Sequence, residues 1–142
     1  MLIGCPLGAQ VSAYRDRLPA DEKIVCETIH SAWRISRKVD AATYNPPSRL
    51  RTYEVIFIDE APQIDDAVWT LLCRAVLELP QKPLVVVVGD LSQLEPIRGG
   101  KLLRNFISTP ALTVVAMEQH EHARTCDEAL LRFLAIVRSS QP

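Results

Sequence analysis

The chain has 142 residues, 48% of them hydrophobic and 23% charged, with 16 Lys and Arg against 17 Asp and Glu for a net charge of -1. That composition fits one globular domain with a real core. It excludes a disordered chain and any global field that would draw the protein to nucleic acid or membrane. The apolar runs are far shorter than the ~20 residues of a bilayer span, and no basic segment followed by a long apolar stretch opens the chain. The expectation is an intracellular protein without a membrane partner, nucleus and cytoplasm not being distinguishable. Cys5, Cys26, Cys73 and Cys126 are widely scattered, which reads as free thiols in a reducing compartment. His120, His122 and Cys126 are zinc-ligand types, but they read more readily as polar loop residues.

In chain order, Leu2 to Cys5 reads as the end of a strand, followed by a turn at Pro6–Ala9. A helix is expected from about Ala9 to Arg17, with Val11, Tyr14 and Leu18 at helical spacing. Lys23–Cys26 is a short strand candidate, and Thr28 or Ser31 could cap a helix running to about Val39. From Asp40 to Thr52 the pattern vanishes into a surface loop punctuated by Asn45-Pro46-Pro47-Ser48, with Arg49 and Arg51 solvated. Val55–Ile58 is an apolar run too short for a helix and too uniform for a half-exposed strand, so it reads as a strand covered on both faces. A helix should start at Asp65-Asp66, with Val68, Leu72, Ala75, Val76 and Leu79 on one face and Trp69 packing it on the sheet. Leu84–Val88 reads as a second fully buried strand. Gly99-Gly100 marks a turn before a helix at Leu102–Ile107, then come a third apolar run at Leu112–Met117 and a helix from about Asp127 to Arg138. Alternating strands and helices predict an α/β fold with a mainly parallel sheet.

In open parallel sheets the ligand crevice lies beyond the carboxyl ends of the strands. The first buried run ends in Asp59-Glu60 and the second in Gly89-Asp90, with Gln93 close behind, so two strand ends deliver acids and an amide to one crevice. Phosphoryl transfer from a nucleotide needs a carboxylate for Mg²⁺, a base or positioner for water, and a polar group that feels the γ-phosphate. Asp59, Glu60 and Gln93 supply those types, although acids at strand ends also cap helices and sit in turns.

Asp59-Glu60-Ala61-Pro62-Gln63 resembles the Walker B motif of superfamily 1 helicases, and Gly89-Asp90-Leu91-Ser92-Gln93-Leu94-Glu95-Pro96-Ile97 resembles their motif III. Thr28-Ile29-His30-Ser31 looks like the Thr-Ile-His segment of the RecD-like and PIF-type branch. Cys5-Pro6-Leu7-Gly8-Ala9 looks like its motif Ia, and Arg124 matches the motif IV arginine. The resemblance spans almost the whole chain. It implies a three-layer RecA-like P-loop NTPase lobe over residues 1–142, incomplete at its N-terminus, from an ATP-dependent DNA helicase that translocates on single strands and unwinds duplex. Implied cofactors are ATP and Mg²⁺, with Asp59 holding the metal, Glu60 activating water, and Gln93 and Arg124 acting on the γ-phosphate. Gln63 and Asp90 would join the nucleotide site, and Pro6, Gly8, Thr28 and His30 would line the track of single-stranded DNA or RNA.

Two departures bear on activity. No Gly-x-x-x-x-Gly-Lys-Ser/Thr occurs; Gly100-Lys101 is a decoy, since Glu95 stands where the first glycine belongs and Leu102 cannot ligand Mg²⁺. The resemblance places that loop upstream of Met1 and a second RecA-like lobe beyond Pro142, so the fragment alone is expected to be inactive. Leu7 stands where the family often has Thr, which puts one nucleic-acid contact in doubt. The alternatives are a non-catalytic remnant that binds nucleic acid or protein, an RNA-acting relative, and a metal-dependent hydrolase built on Asp59, Glu60, Asp65 and Asp66. Arg34, Arg37, Lys38, Arg49 and Arg51 form the most basic segment, either a phosphate contact or a solvated face.

Overall fold

The computed structural model describes residues 1–36, 39–91, 96, 99–110 and 113–115. The chain divides into two compact units, Met1–Phe106 and Ile107–Pro142. The first holds four parallel strands, β1 (Leu2–Cys5), β2 (Val25–Thr28), β3 (Val55–Ile58) and β4 (Leu84–Val87), in the order β2-β1-β3-β4. Between them run α1 (Gly8–Arg17), α2 (Ile29–Trp33) and α3 (Asp66–Glu78), and α4 (Lys101–Ile107) follows β4. In the second unit, Val114 and Val115 are exposed. The strand expected at Leu112–Met117 and the helix at Asp127–Arg138 lie mostly or wholly outside the described residues.

The expected α/β class with a parallel sheet is observed, and alternation along each strand explains its layers. Ile3, Cys5 and Cys26 turn to one face, where Val11, Tyr14 and Leu18 of α1 and its flank pack with them and with Phe57. The opposite side chains, Leu2 on β1 and Ile56 and Ile58 on β3, are sealed at 2% exposure or less. Gly4 shares that face: a Cβ there would lie 3.2 Å from the Trp33 ring and 3.4 Å from Ile29, so the absent side chain lets α2 close down on β1. Trp33 is fully buried, as a core residue should be and a base-stacking platform cannot be.

Local chemistry sets several boundaries. Thr28 is the N-cap of α2, its side chain accepting from the Ser31 N–H at 3.2 Å. The helix ends at Arg34 in the left-handed region (φ 55°), well short of the expected Val39, because Ile35 turns back to donate to the His30 carbonyl. Asp65 caps α3 by accepting from the Val68 N–H at 2.8 Å. Val68, Trp69, Leu72 and Ala75 of α3 are buried, as is Leu79 just beyond it, whereas Val76 is only half-buried.

Two expectations are corrected. The region Asp40–Thr52 is not merely a surface loop: Ser48–Thr52 forms a 3-10 turn that buries Leu50, and Tyr44 is buried with its hydroxyl donating to the Trp33 carbonyl at 2.7 Å. Aperiodic sequence hid these two anchors because each acts alone. Second, β4 is not fully buried. It is the edge strand of the described sheet, with Leu84 64% and Val87 42% exposed.

Candidate nucleotide site and strand-end edge

All four strands are parallel, so their carboxyl ends share one edge of the sheet. Pro6 and Gly8 follow β1, Thr28 ends β2, Asp59 and Glu60 follow β3, and Asp90 comes three residues after β4. The topology therefore gathers residues separated by up to 84 positions in sequence, Pro6 to Asp90, onto one edge. Gln93 and Arg124 lie outside the described residues.

Backbone hydrogen bonds extend the sheet past β3 and aim the acidic loop. The Asp59 N–H donates to the Gly4 carbonyl at 3.0 Å, the Val88 N–H to the Ile58 carbonyl at 2.8 Å, and the Ala61 N–H to the Val88 carbonyl at 3.0 Å. Glu60 then adopts left-handed backbone angles (φ 49°, ψ 40°), which cost a non-glycine residue about 1–2 kcal/mol. Strain of this kind persists where the surroundings over-determine it, and it concentrates at functional sites. A short 3-10 turn at Ala61–Gln63 follows, in which the Gln63 N–H donates to the Glu60 carbonyl at 2.9 Å and Gln63 Nε2 to Glu60 Oε2 at 3.3 Å. The expected company of Glu60 and Gln63 is thus a direct contact.

Asp59 and Glu60 are both half-buried. The Tyr14 hydroxyl donates to Asp59 Oδ2 at 2.8 Å. Burial, helped by this bond and the Asp59 charge, pushes the Tyr14 phenol up to about 12, so it remains a donor throughout the neutral range. Beneath them, burial and then the neighbouring Asp59 charge push the Cys5 thiol up to about 11, an inert thiol in a core position. Cys5, Cys26 and Cys73 are free.

Gly89 joins the two acidic strand ends. A Cβ on it would fall 2.2 Å from Pro62 Cδ and 3.2 Å from the Ala61 nitrogen, so only glycine lets the segment after β4 pass this close to the turn after β3. Gly8 differs: a Cβ there would meet nothing within 4 Å, so packing does not demand its glycine. His30 is exposed on α2 and Pro6 half-buried beside Gly8.

Several groups lie where sequence reasoning did not look. Arg49, expected to be solvated, donates to both Glu27 oxygens at 2.8 and 2.7 Å and to the Ser31 and Ala32 carbonyls at 2.8 and 3.2 Å. It fastens the His30 helix to the 3-10 turn at Ser48–Thr52, and its bond holds the Glu27 carboxyl below the usual range. That commitment takes Arg49 out of the basic segment; Arg37 and Lys38 lie outside the described residues. Asp66 Oδ1 accepts from the Gly100 and Leu102 N–H groups, both at 3.0 Å, tying α3 to the start of α4. Those bonds hold its carboxyl below the usual range. At Gly99 (φ +82°) a Cβ would strike the same carboxylate at 2.5 Å.

With Asp65 capping α3 and Asp66 holding α4, the four-acid hydrolase loses two of its members. Among the described residues no group of three or more His, Cys, Asp or Glu could cage a metal ion; His120, His122 and Cys126 fall outside them. No helix among the described residues is long and apolar enough to cross a membrane.

An α/β unit whose parallel strands deliver two adjacent carboxylates, a glycine-tight second strand end and an exposed helix to one edge has the layout of a nucleotide-binding domain. A match over residues 7–132 shows that the chain belongs to the AAA domain family. Among solved structures, the Bacteroides Pif1 bound to single-stranded DNA is similar, with a TM-score of 0.47 and 21% identity over 75% of this chain. The chain spans 26% of the length of that protein. No curated protein matches it.

Proposed function

We propose that this chain is part of an ATP-dependent DNA helicase of the superfamily 1, PIF-like type, in which ATP hydrolysis drives movement along single-stranded DNA and duplex unwinding. The observation that carries the reading is Asp59-Glu60 at the carboxyl end of β3, beside Gly89-Asp90, in a member of the AAA domain family. Asp59 and Glu60 offer oxygen donors, and Tyr14 occupies one Asp59 oxygen while no described residue donates to the other. Such a half-buried carboxylate fits Mg²⁺, a hard cation held through one or two carboxylates together with nucleotide phosphates. When bound, Mg²⁺ neutralises charge on those phosphates.

In this reading Asp59 holds Mg²⁺, and Glu60 takes a proton from the attacking water. The strained backbone of Glu60 and the hydrogen bond from Gln63 keep its carboxylate in place. Asp90 and Gln93 face the γ-phosphate, and Arg124 stabilises charge developing there, an effect worth about 10³–10⁵ in rate for arginine fingers. Pro6, Gly8, Thr28 and His30 contact the single strand, with Arg49 bracing the helix that carries His30.

The test is steady-state ATP turnover by the complete protein with and without single-stranded DNA. Glu60→Gln should lower turnover by about 10²–10⁴, the contribution of a positioned general base, with nucleotide affinity retained. Wild-type turnover in the Glu60→Gln protein would remove the base assignment. The 142 residues contain no phosphate-binding loop motif, so the isolated chain should hydrolyse no ATP; turnover by it that Glu60→Gln abolishes would overturn that expectation.

A further inference from the structure

The ring of Tyr14 packs against the cluster of Ile3, Cys5, Val11 and Cys26 on one face of the sheet, and its hydroxyl reaches Asp59 Oδ2 at 2.8 Å. Packing alone asks for the ring and not for the hydroxyl, because phenylalanine would fill nearly the same volume. Among the described residues Asp59 is the one acceptor for that hydroxyl and Tyr14 the one donor to that carboxylate.

We propose that Tyr14 is a positioning residue for Asp59: by holding Oδ2, the phenol fixes the rotation of the carboxylate and reserves Oδ1 for the cation of the bound nucleotide. The inference rests on the nucleotide reading above, and it adds a residue 45 positions from Asp59 in sequence.

Three physical arguments support it. A free carboxylate turns about its last torsion and loses that freedom when a cation binds; one held in advance has already lost it, so binding is stronger. Mg²⁺ demands near-ideal octahedral geometry and so gains more from a fixed oxygen than a permissive cation would. The donor is also neutral. Lysine or arginine in its place would orient the carboxylate equally well but would oppose a divalent cation, whereas the phenol orients it and leaves its charge in full. The ring is itself held by α1 and the sheet core, so the hydroxyl acts from a rigid element.

Tyr14→Phe removes the hydroxyl and keeps the ring. In the complete protein, Mn²⁺ binding in the presence of a non-hydrolysable ATP analogue is measured by electron paramagnetic resonance, beside the Mg²⁺ dependence of ATP turnover and the melting temperature. The expected result is about tenfold weaker Mn²⁺ binding and a similar rise in half-saturating Mg²⁺, the low end for losing a partner of a metal-binding carboxylate. Turnover at saturating Mg²⁺ should change by less than about twofold, since an interaction made equally before and during reaction shifts half-saturation and not the maximum. In an Asp59→Asn background the same substitution should add nothing to the loss of Mn²⁺ affinity. Unchanged Mn²⁺ affinity in Tyr14→Phe, with only a lowered melting temperature, makes Tyr14 a packing residue and overturns the proposal while leaving the nucleotide reading intact. If Asp59→Asn itself alters neither Mn²⁺ binding nor turnover, the nucleotide reading fails and the proposal with it.

Discussion

β3 and β4 lie side by side in parallel, each four residues long and apolar throughout, yet they occupy opposite environments. Ile56 and Ile58 of β3 are at 0% and 2% exposure, while Leu84 of β4 is at 64%. Strand β3 has neighbours on both sides and β4 on one. Composition tells a strand from a helix here, but it does not tell a central strand from an edge, because Val and Ile suit both. What distinguishes the two is who stands next to them, a property of topology. The flanks of β4 do carry an edge signature in Lys82 and Pro83. Lys82 is partly spent elsewhere, since its Nζ donates to the Leu77 carbonyl at 2.6 Å and also to the Leu79 carbonyl at the end of α3.

The largest effect should come from the centre. Ile56→Ala opens a cavity in a fully buried position and should cost about 2–5 kcal/mol in urea unfolding; a loss below about 1 kcal/mol would mean that β3 is not the core of the sheet. Next comes the junction between the two strand ends. Gly89→Ala forces a methyl into Pro62 and should cost about 1–3 kcal/mol. Gly8→Ala, at the end of β1 where the space is open, should stay within about 0.5 kcal/mol of wild type. If the two alanines proved equal, the close passage of Gly89 over Pro62 would be refuted.

These contrasts show how far the sequence could be read. The four strand ends, Asp59-Glu60, Thr28 as a cap, Asp65 as a cap and Trp33 as core all follow from local patterns: an apolar run cut short by acids, a hydroxyl before a helix, spacing on a face. Tyr14 on Asp59, Arg49 on Glu27 and Asp66 on Gly100 do not, because each joins residues 45, 22 and 34 positions apart through one side chain. No periodicity announces a single long-range hydrogen bond. The left-handed Glu60 was equally hidden, since it follows from the way the loop must bond to Val88 on the neighbouring strand.

The Arg49 clamp gives a smaller effect with a pH signature. Arg49→Ala deletes a bidentate pair and two bonds to carbonyls on a partly exposed guanidinium, and should cost about 1–2 kcal/mol at neutral pH after solvent screening. Because Arg49 lowers the Glu27 pKa in the folded state, the stability linked to that shift is complete above the ordinary glutamate range and fades as pH falls through the lowered value. The gap between wild type and Arg49→Ala, followed by thermal melting, should therefore narrow on acidification; a gap that widened would reverse the assigned direction.

The smallest effect belongs to the edge, and it bears most directly on the contrast between the strands. Leu84→Thr keeps the β-branched preference for an extended backbone while removing apolar area that is already mostly in water. Its cost should stay within about 0.5 kcal/mol, as for surface substitutions generally, an order of magnitude below the upper estimate for Ile56→Ala. The two strands share register, length and apolar character, so propensity and hydrogen bonding nearly cancel between them and the difference in cost reports burial alone. A Leu84→Thr penalty above about 1.5 kcal/mol approaches what full burial of a leucine is worth. It would mean that the exposed face of β4 is covered in solution and that the apolar run at 84–88 had been read correctly from sequence as a buried strand.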